Sequence, residues 1–137
     1  MGLRKREISD IVGETIDGLR VRYSSYDMPS GAYDENEIIE VYFETESGRT
    51  FKMYHDQDCC EDVRLIDVAG GELHDLLGEK ILKAYKSSVS NDDPDPYSDS
   101  ETWTFYVIVT NKVSLCLRWL GESNGYYSEE VSFVEEM

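Results

Sequence analysis

Residues 101–120 restrict the fold more than any other stretch. Glu101 to Thr110 is rich in aromatic and β-branched residues, and Val113 to Leu120 alternates apolar with other side chains. Asn111-Lys112 between them is a two-residue turn signal, so the pair reads as an antiparallel hairpin. A second hairpin is read from Glu37 to Glu46 and Arg49 to His55, turned by Ser47-Gly48. Leu19 to Tyr23, Asp62 to Val68 and Glu129 to Val134 add further strand candidates. Lys80 to Val89 fits either helix or strand, and its alternation favours strand. Ile8 to Ile16 suits a short helical turn capped by Ser9 or Asp10, and Glu72 to Leu77 another, closed by Gly78. Ser24 to Asn36, Ser90 to Ser100 and Gly121 to Ser128 read as loops. The expected architecture is α+β and mainly antiparallel β. It is one sheet-based domain over residues 1–137, with six to seven strands, one or two short helices, a basic tip at 1–7 and an exposed acidic loop at 90–100.

Charge narrows the function classes. The 137 residues include 13 basic and 29 acidic side chains, a formal net charge of −16, while 40% hydrophobic content supports a folded core. Such a surface repels nucleic acid and anionic membrane, because it has too few cations to displace phosphate counterions. It favours basic partner surfaces, among them the nucleic-acid grooves of other proteins. Met1 to Glu7 lacks the apolar stretch of a secretory signal, Arg6 spoils a myristoylation motif at Gly2, and no apolar run approaches membrane-helix length. The expected location is therefore the cytoplasm, with the three cysteines reduced. Neighbouring Cys59 and Cys60 are not expected to pair with each other. The odd thiol count and exposed strand edges are compatible with a homodimer.

Two motifs carry more chemistry than folding needs. His55-Asp-Gln-Asp-Cys-Cys-Glu61 holds zinc-type donors, which nominates His55 with Cys59 or Cys60 as a metal site. Adjacent residues on an extended chain face opposite ways, which opposes that reading. The same residues resemble a thiol nucleophile with its base, but the surrounding carboxylates disfavour a thiolate. Trp119-Leu-Gly-Glu-Ser-Asn-Gly-Tyr-Tyr-Ser128 reads as a recognition loop or a structural corner. In the recognition reading Trp119, Tyr126 and Tyr127 stack on a nucleobase, Asn124 reads its edge and Arg118 meets phosphate. Gly121 and Gly125 would supply positive φ or close approach. Asp92, Asp93, Asp95, Asp99 and Glu101 form an acidic cluster without EF-hand spacing.

These two motifs, with Asp75-Leu-Leu-Gly78 and Thr102-Trp-Thr-Phe-Tyr106, resemble a family of small phage, prophage and bacterial proteins whose domain has no known function. The resemblance runs from about Ile11 to Phe133. It implies a virus-associated protein and brings no catalytic residues. The resulting expectation is a non-enzymatic accessory protein without a cofactor, acting in the host cytoplasm. It would counter a bacterial defence system by occluding a basic site on a host protein, using Asp92, Asp93, Asp95, Glu122 and Tyr126. The alternatives are a sponge for a nucleotide-derived immune signal, held by Arg118, Trp119, Asn124, Tyr126 and Tyr127, and the metal-binding domain at His55.

Overall fold

The computed structural model describes residues 2–24, 37–91 and 100–137. Among them run nine strands: β1 Leu3–Lys5, β2 Ile16–Tyr23, β3 Ile38–Thr45, β4 Thr50–Tyr54, β5 Asp62–Ala69, β6 Lys83–Asn91, β7 Ser100–Val109, β8 Ser114–Ser123 and β9 Ser132–Glu136. All pairings are antiparallel. The mainly antiparallel expectation is met, but the strand count exceeds six to seven. The basic tip is itself a strand, laid against β9 by Leu3↔Glu136 and Lys5↔Val134. The ambiguous stretch from residue 80 is also a strand, β6.

The helical expectations reduce to two 3-10 turns among the described residues, Ile8–Ile11 and Leu73–Leu76. Glu7 and Glu72, not Ser9 or Asp10, occupy the N-cap positions. Asp10 and Asp75 instead accept their backbone N–H groups, each at 2.9 Å. With only four residues apiece, neither segment can complete the ladder of a true α-helix. The polar loop expected at 24–36 lies outside the described residues from 25 onward, as does 92–99 of the acidic loop.

The sheet runs β1-β9-β4-β3-β5-β8-β7-β6, with β2 on the free side of β3. Strand β3 is the junction. It pairs along its length with β2 and β4, and its first residue, Ile38, also meets Leu65 of β5. Two leaves therefore spread from one point and curl toward each other. One leaf contributes Val41, Phe43, Phe51, Met53 and Phe133 to the core, and the other contributes Leu65, Tyr106, Ile108, Leu117 and Trp119. Trp119 Nε1 crosses between the leaves to donate to Met53 Sδ at 3.1 Å. At the far side Tyr106 Oη and Lys86 Nζ both donate to the carbonyl of Val131, at 3.2 and 2.9 Å. Side chains thus bridge the gap where the curl does not close by strand pairing.

Turn chemistry explains why the hairpins fall where they do. Thr110 Oγ1 accepts the N–H groups of Lys112 and Val113, each at 3.1 Å, so the Asn111-Lys112 turn is satisfied locally. At the other end of the curl, Arg49 grips Glu135 with two bonds of 2.9 Å and reaches Glu14 at 3.1 Å, while Arg6 adds a third bond to Glu135. That network ties β1, β9 and the β3–β4 turn together.

Candidate functional site

The first motif lies where β4 ends at Tyr54 and the chain bends back into β5. Glu61 is fully buried and accepts four bonds: His55 Nε2 at 2.8 Å, Gln57 Nε2 at 3.1 Å, Asp58 N at 3.1 Å and Cys59 N at 2.8 Å. Burial pushes its carboxyl upward, but His55 and the backbone donors outweigh that and hold it at about 2. The other ring nitrogen of His55, Nδ1, lies 2.6 Å from the carbonyl of Glu130. A carbonyl only accepts, so Nδ1 is the donor there. One imidazole thereby fastens the 55–61 bend to the segment before β9.

The cysteines depart from expectation. Cys59 and Cys60 are joined as a disulfide, and only Cys116 is a free thiol. The expectation of separate, reduced thiols rested on the strain of a ring closed between neighbouring cysteines and on a reducing compartment, whereas here the backbone bends at both positions and the two are paired. The candidate metal donors are therefore engaged with partners of their own, His55 with Glu61 and Glu130, and Cys59 with Cys60. Among the described residues no group of three or more His, Cys, Asp or Glu side chains is placed to hold a metal ion.

The second motif is divided by the pleat of β8, which continues to Ser123 and so replaces the first part of the expected 121–128 loop. Trp119 points into the core with no exposed surface. Arg118 points to the outer face, where it makes a bidentate pair with Asp67 and lies 5.8 Å from the centroid of the Trp103 ring. The two residues nominated to grip one nucleotide thus lie on opposite sides of the sheet. Asn124 accepts the Tyr126 N–H at 3.0 Å, an Asx turn helped by Gly125 at φ +89°. Tyr126 is 84% exposed and stands edge-on to Tyr127 at 5.1 Å. Gly121 has no positive φ. Its role is close approach, because a Cβ there would come within 2.7 Å of the Glu129 carbonyl.

What the structure does bring together is charge. On the outer face Glu122 stands opposite Asp62 of β5 on one side and Glu101 of β7 on the other. Three carboxylates therefore occupy one row across three strands, an arrangement that is unfavourable without compensation. Arg64 compensates in part, reaching Asp62 at 3.0 Å, Glu122 at 2.9 Å and Glu37 at 3.3 Å. Burial and the charge of Glu122 still leave the Asp62 carboxyl raised, against the pull of Arg64. Cys60, Asp62, Glu122, Ser123 and Asn124 line a depression of about 310 Å³ beside the row, so both motifs contribute to one surface. Asp92, Asp93 and Asp95 lie outside the described residues, but their flanking residues are placed. Asn91 is paired with Glu101, and Ser100 with Ser123, at this same end of the sheet.

Glu101 and Asp62 were not singled out as partners of Glu122. The signal was present, since counting back along both strands from the Asn111-Lys112 turn sets Glu101 opposite Glu122. The Asp62 pairing depends on long-range register and left no local signal.

A family model described as a domain of unknown function, DUF7448, matches residues 7–133. No curated protein and no solved structure matches the chain. No helix among the described residues is long and apolar enough to cross a membrane.

Proposed function

The chain belongs to the DUF7448 family, and we propose that it is a non-catalytic, phage-type accessory protein that binds and occludes a basic site on a host protein, countering a bacterial defence system. The observation that carries the reading is the Glu101–Glu122–Asp62 row. Three carboxylates share a row with one arginine among their neighbours, so a cationic partner surface relieves a repulsion already present in the free protein. Four more carboxylates, Asp92, Asp93, Asp95 and Asp99, lie between Asn91 and Ser100 in sequence, outside the described residues. The net charge of −16 adds long-range steering toward a basic target. Tyr126, mostly exposed in the turn held by Asn124, offers an aromatic anchor of the kind that dominates binding energy at interfaces.

The test is capture from bacterial lysate at low salt, with the same capture by a Glu101→Gln/Glu122→Gln protein and by one reversed at Asp92, Asp93 and Asp95. The expected result is one stoichiometric protein with a basic surface, retained less as salt rises and retained poorly by both variants. Unchanged affinity and salt dependence in both variants overturn the proposal. The sponge reading gains no support from a geometry in which Trp119 offers no stacking face, and metal binding at His55 would have to displace Glu61.

A further inference from the structure

We propose that the cleft between the β6–β7 hairpin and residues 125–130 is a binding site for a neutral carbohydrate of mono- to disaccharide size. The cleft encloses about 390 Å³, at the lower end of the range for small-molecule sites.

Its floor is a ladder of hydroxyls. Ser88 stands opposite Thr104, and Ser90 opposite Thr102, all on the face that further along carries Lys86 opposite Tyr106 and then Ala84 opposite Ile108. The concave face therefore changes from apolar to hydroxyl where the core ends. Serine is not among the residues enriched in strands, so sheet propensity does not account for its recurrence at alternate positions of β6. The hydroxyls are directional. Thr102 Oγ1 donates to Glu129 Oε1 at 2.8 Å, so in its 3.1 Å contact with Ser90 it accepts, and Ser90 donates. Ser100 and Ser123 also donate to the Glu129 carboxylate.

The lining selects against other ligand classes. Glu129 and Glu130 disfavour an anion, and the one lysine, Lys86, directs its ammonium to the Val131 carbonyl at 2.9 Å and toward Glu130 at 3.8 Å. A sugar hydroxyl both donates and accepts, which suits hydroxyl pairs, and a carboxylate accepts well from a vicinal diol. Tyr127 at the cleft wall supplies a ring for the C–H face of a pyranose. This inference is independent of partner binding by the acidic row, which lies on the opposite face of β7 and β8.

The test is a titration of the ¹⁵N-labelled full chain with D-glucose, D-galactose and cellobiose, and separately with inorganic phosphate. For at least one sugar, amide shifts are expected at 86–90, 100–104 and 125–130, saturating in the millimolar range or tighter. Phosphate is expected to leave those amides unmoved. Ser88→Ala, an exposed and structurally mild change, weakens the sugar roughly fivefold, the loss of about one hydrogen bond. Thr102→Val does at least as much. The proposal is overturned if no sugar moves these amides, if phosphate moves them instead, or if Ser88→Ala leaves the sugar affinity unchanged.

Discussion

His55 and Glu61, six residues apart, meet at 2.8 Å through side chains that are nearly buried, and the other nitrogen of the same ring holds the Glu130 carbonyl at 2.6 Å. A motif that in sequence resembles a metal or nucleophile site is, in the folded chain, a clasp. Glu61→Ala strips acceptors from two backbone N–H groups, a glutamine and the imidazole at once. The expected loss of stability is about 3 kcal/mol, read by urea denaturation, because buried donors are left unpaired. Glu61→Gln keeps one acceptor oxygen and is expected to cost less. Equal stability of Glu61→Ala and wild type would show that the clasp is dispensable.

Acid exposes the same dependence. Glu61 and Glu135 both titrate at about 2 in the folded protein, against an ordinary value of 4.5. For Glu135 the hydrogen bond from Arg49 leads, opposed by burial and reinforced by Arg6. A depressed carboxyl stabilises the fold fully above its unfolded value and loses that contribution as pH falls through the folded one. Stability is therefore expected to decline between about pH 4.5 and pH 2. Denaturation midpoints in that window should fall less steeply for Glu135→Gln, and a parallel decline in wild type and variant would exclude Glu135 as a source.

Much of this fold was legible because it is local. The hairpins turning at Ser47-Gly48 and Asn111-Lys112 declare themselves by alternation on both sides of a turn. Strand β1 does not, because Leu3, Arg4 and Lys5 are all exposed and its existence depends on β9, more than a hundred residues away. At the candidate site the composition pointed to the right neighbourhood, since Cys60 of the first motif and Glu122, Ser123 and Asn124 of the second line one depression. The partition of Arg118 from Trp119 follows from β8 continuing to Ser123, which β5 and β7 enforce by pairing on both sides. The hydroxyl ladder was hidden for a similar reason. Its members lie on two strands, and only their register unites Ser88 with Thr104.

The pleat at 118–119 yields a sharp contrast. Trp119→Ala opens the junction between the leaves and is expected to destabilise by about 3–5 kcal/mol. Arg118→Ala removes an exposed pair with Asp67 and should cost no more than about 1 kcal/mol. Thermal denaturation of the two variants decides the matter, and similar losses would contradict the assigned faces.

Gly121 tests the packing of the segment before β9. A methyl group there meets Glu129 Cβ and its carbonyl oxygen, both at 2.7 Å, and the carbonyl cannot swing away as a flexible side chain can. Gly121→Ala is expected to cost about 1–3 kcal/mol and to shift the amide resonances of Glu129 and Glu130. A variant with wild-type stability and unshifted amides would place that segment farther from β8.

The last strand in sequence occupies an interior slot, one short strand in from the edge, since β9 lies between β1 and β4. A nascent chain that has emerged only as far as β8 leaves β1 unpaired and the outer edge of β4 open, with its burden of Phe51 and Met53. That edge is covered only when residues 132–136 pair with it. Until β9 pairs, the β4 edge is an exposed template on which another chain can add a strand.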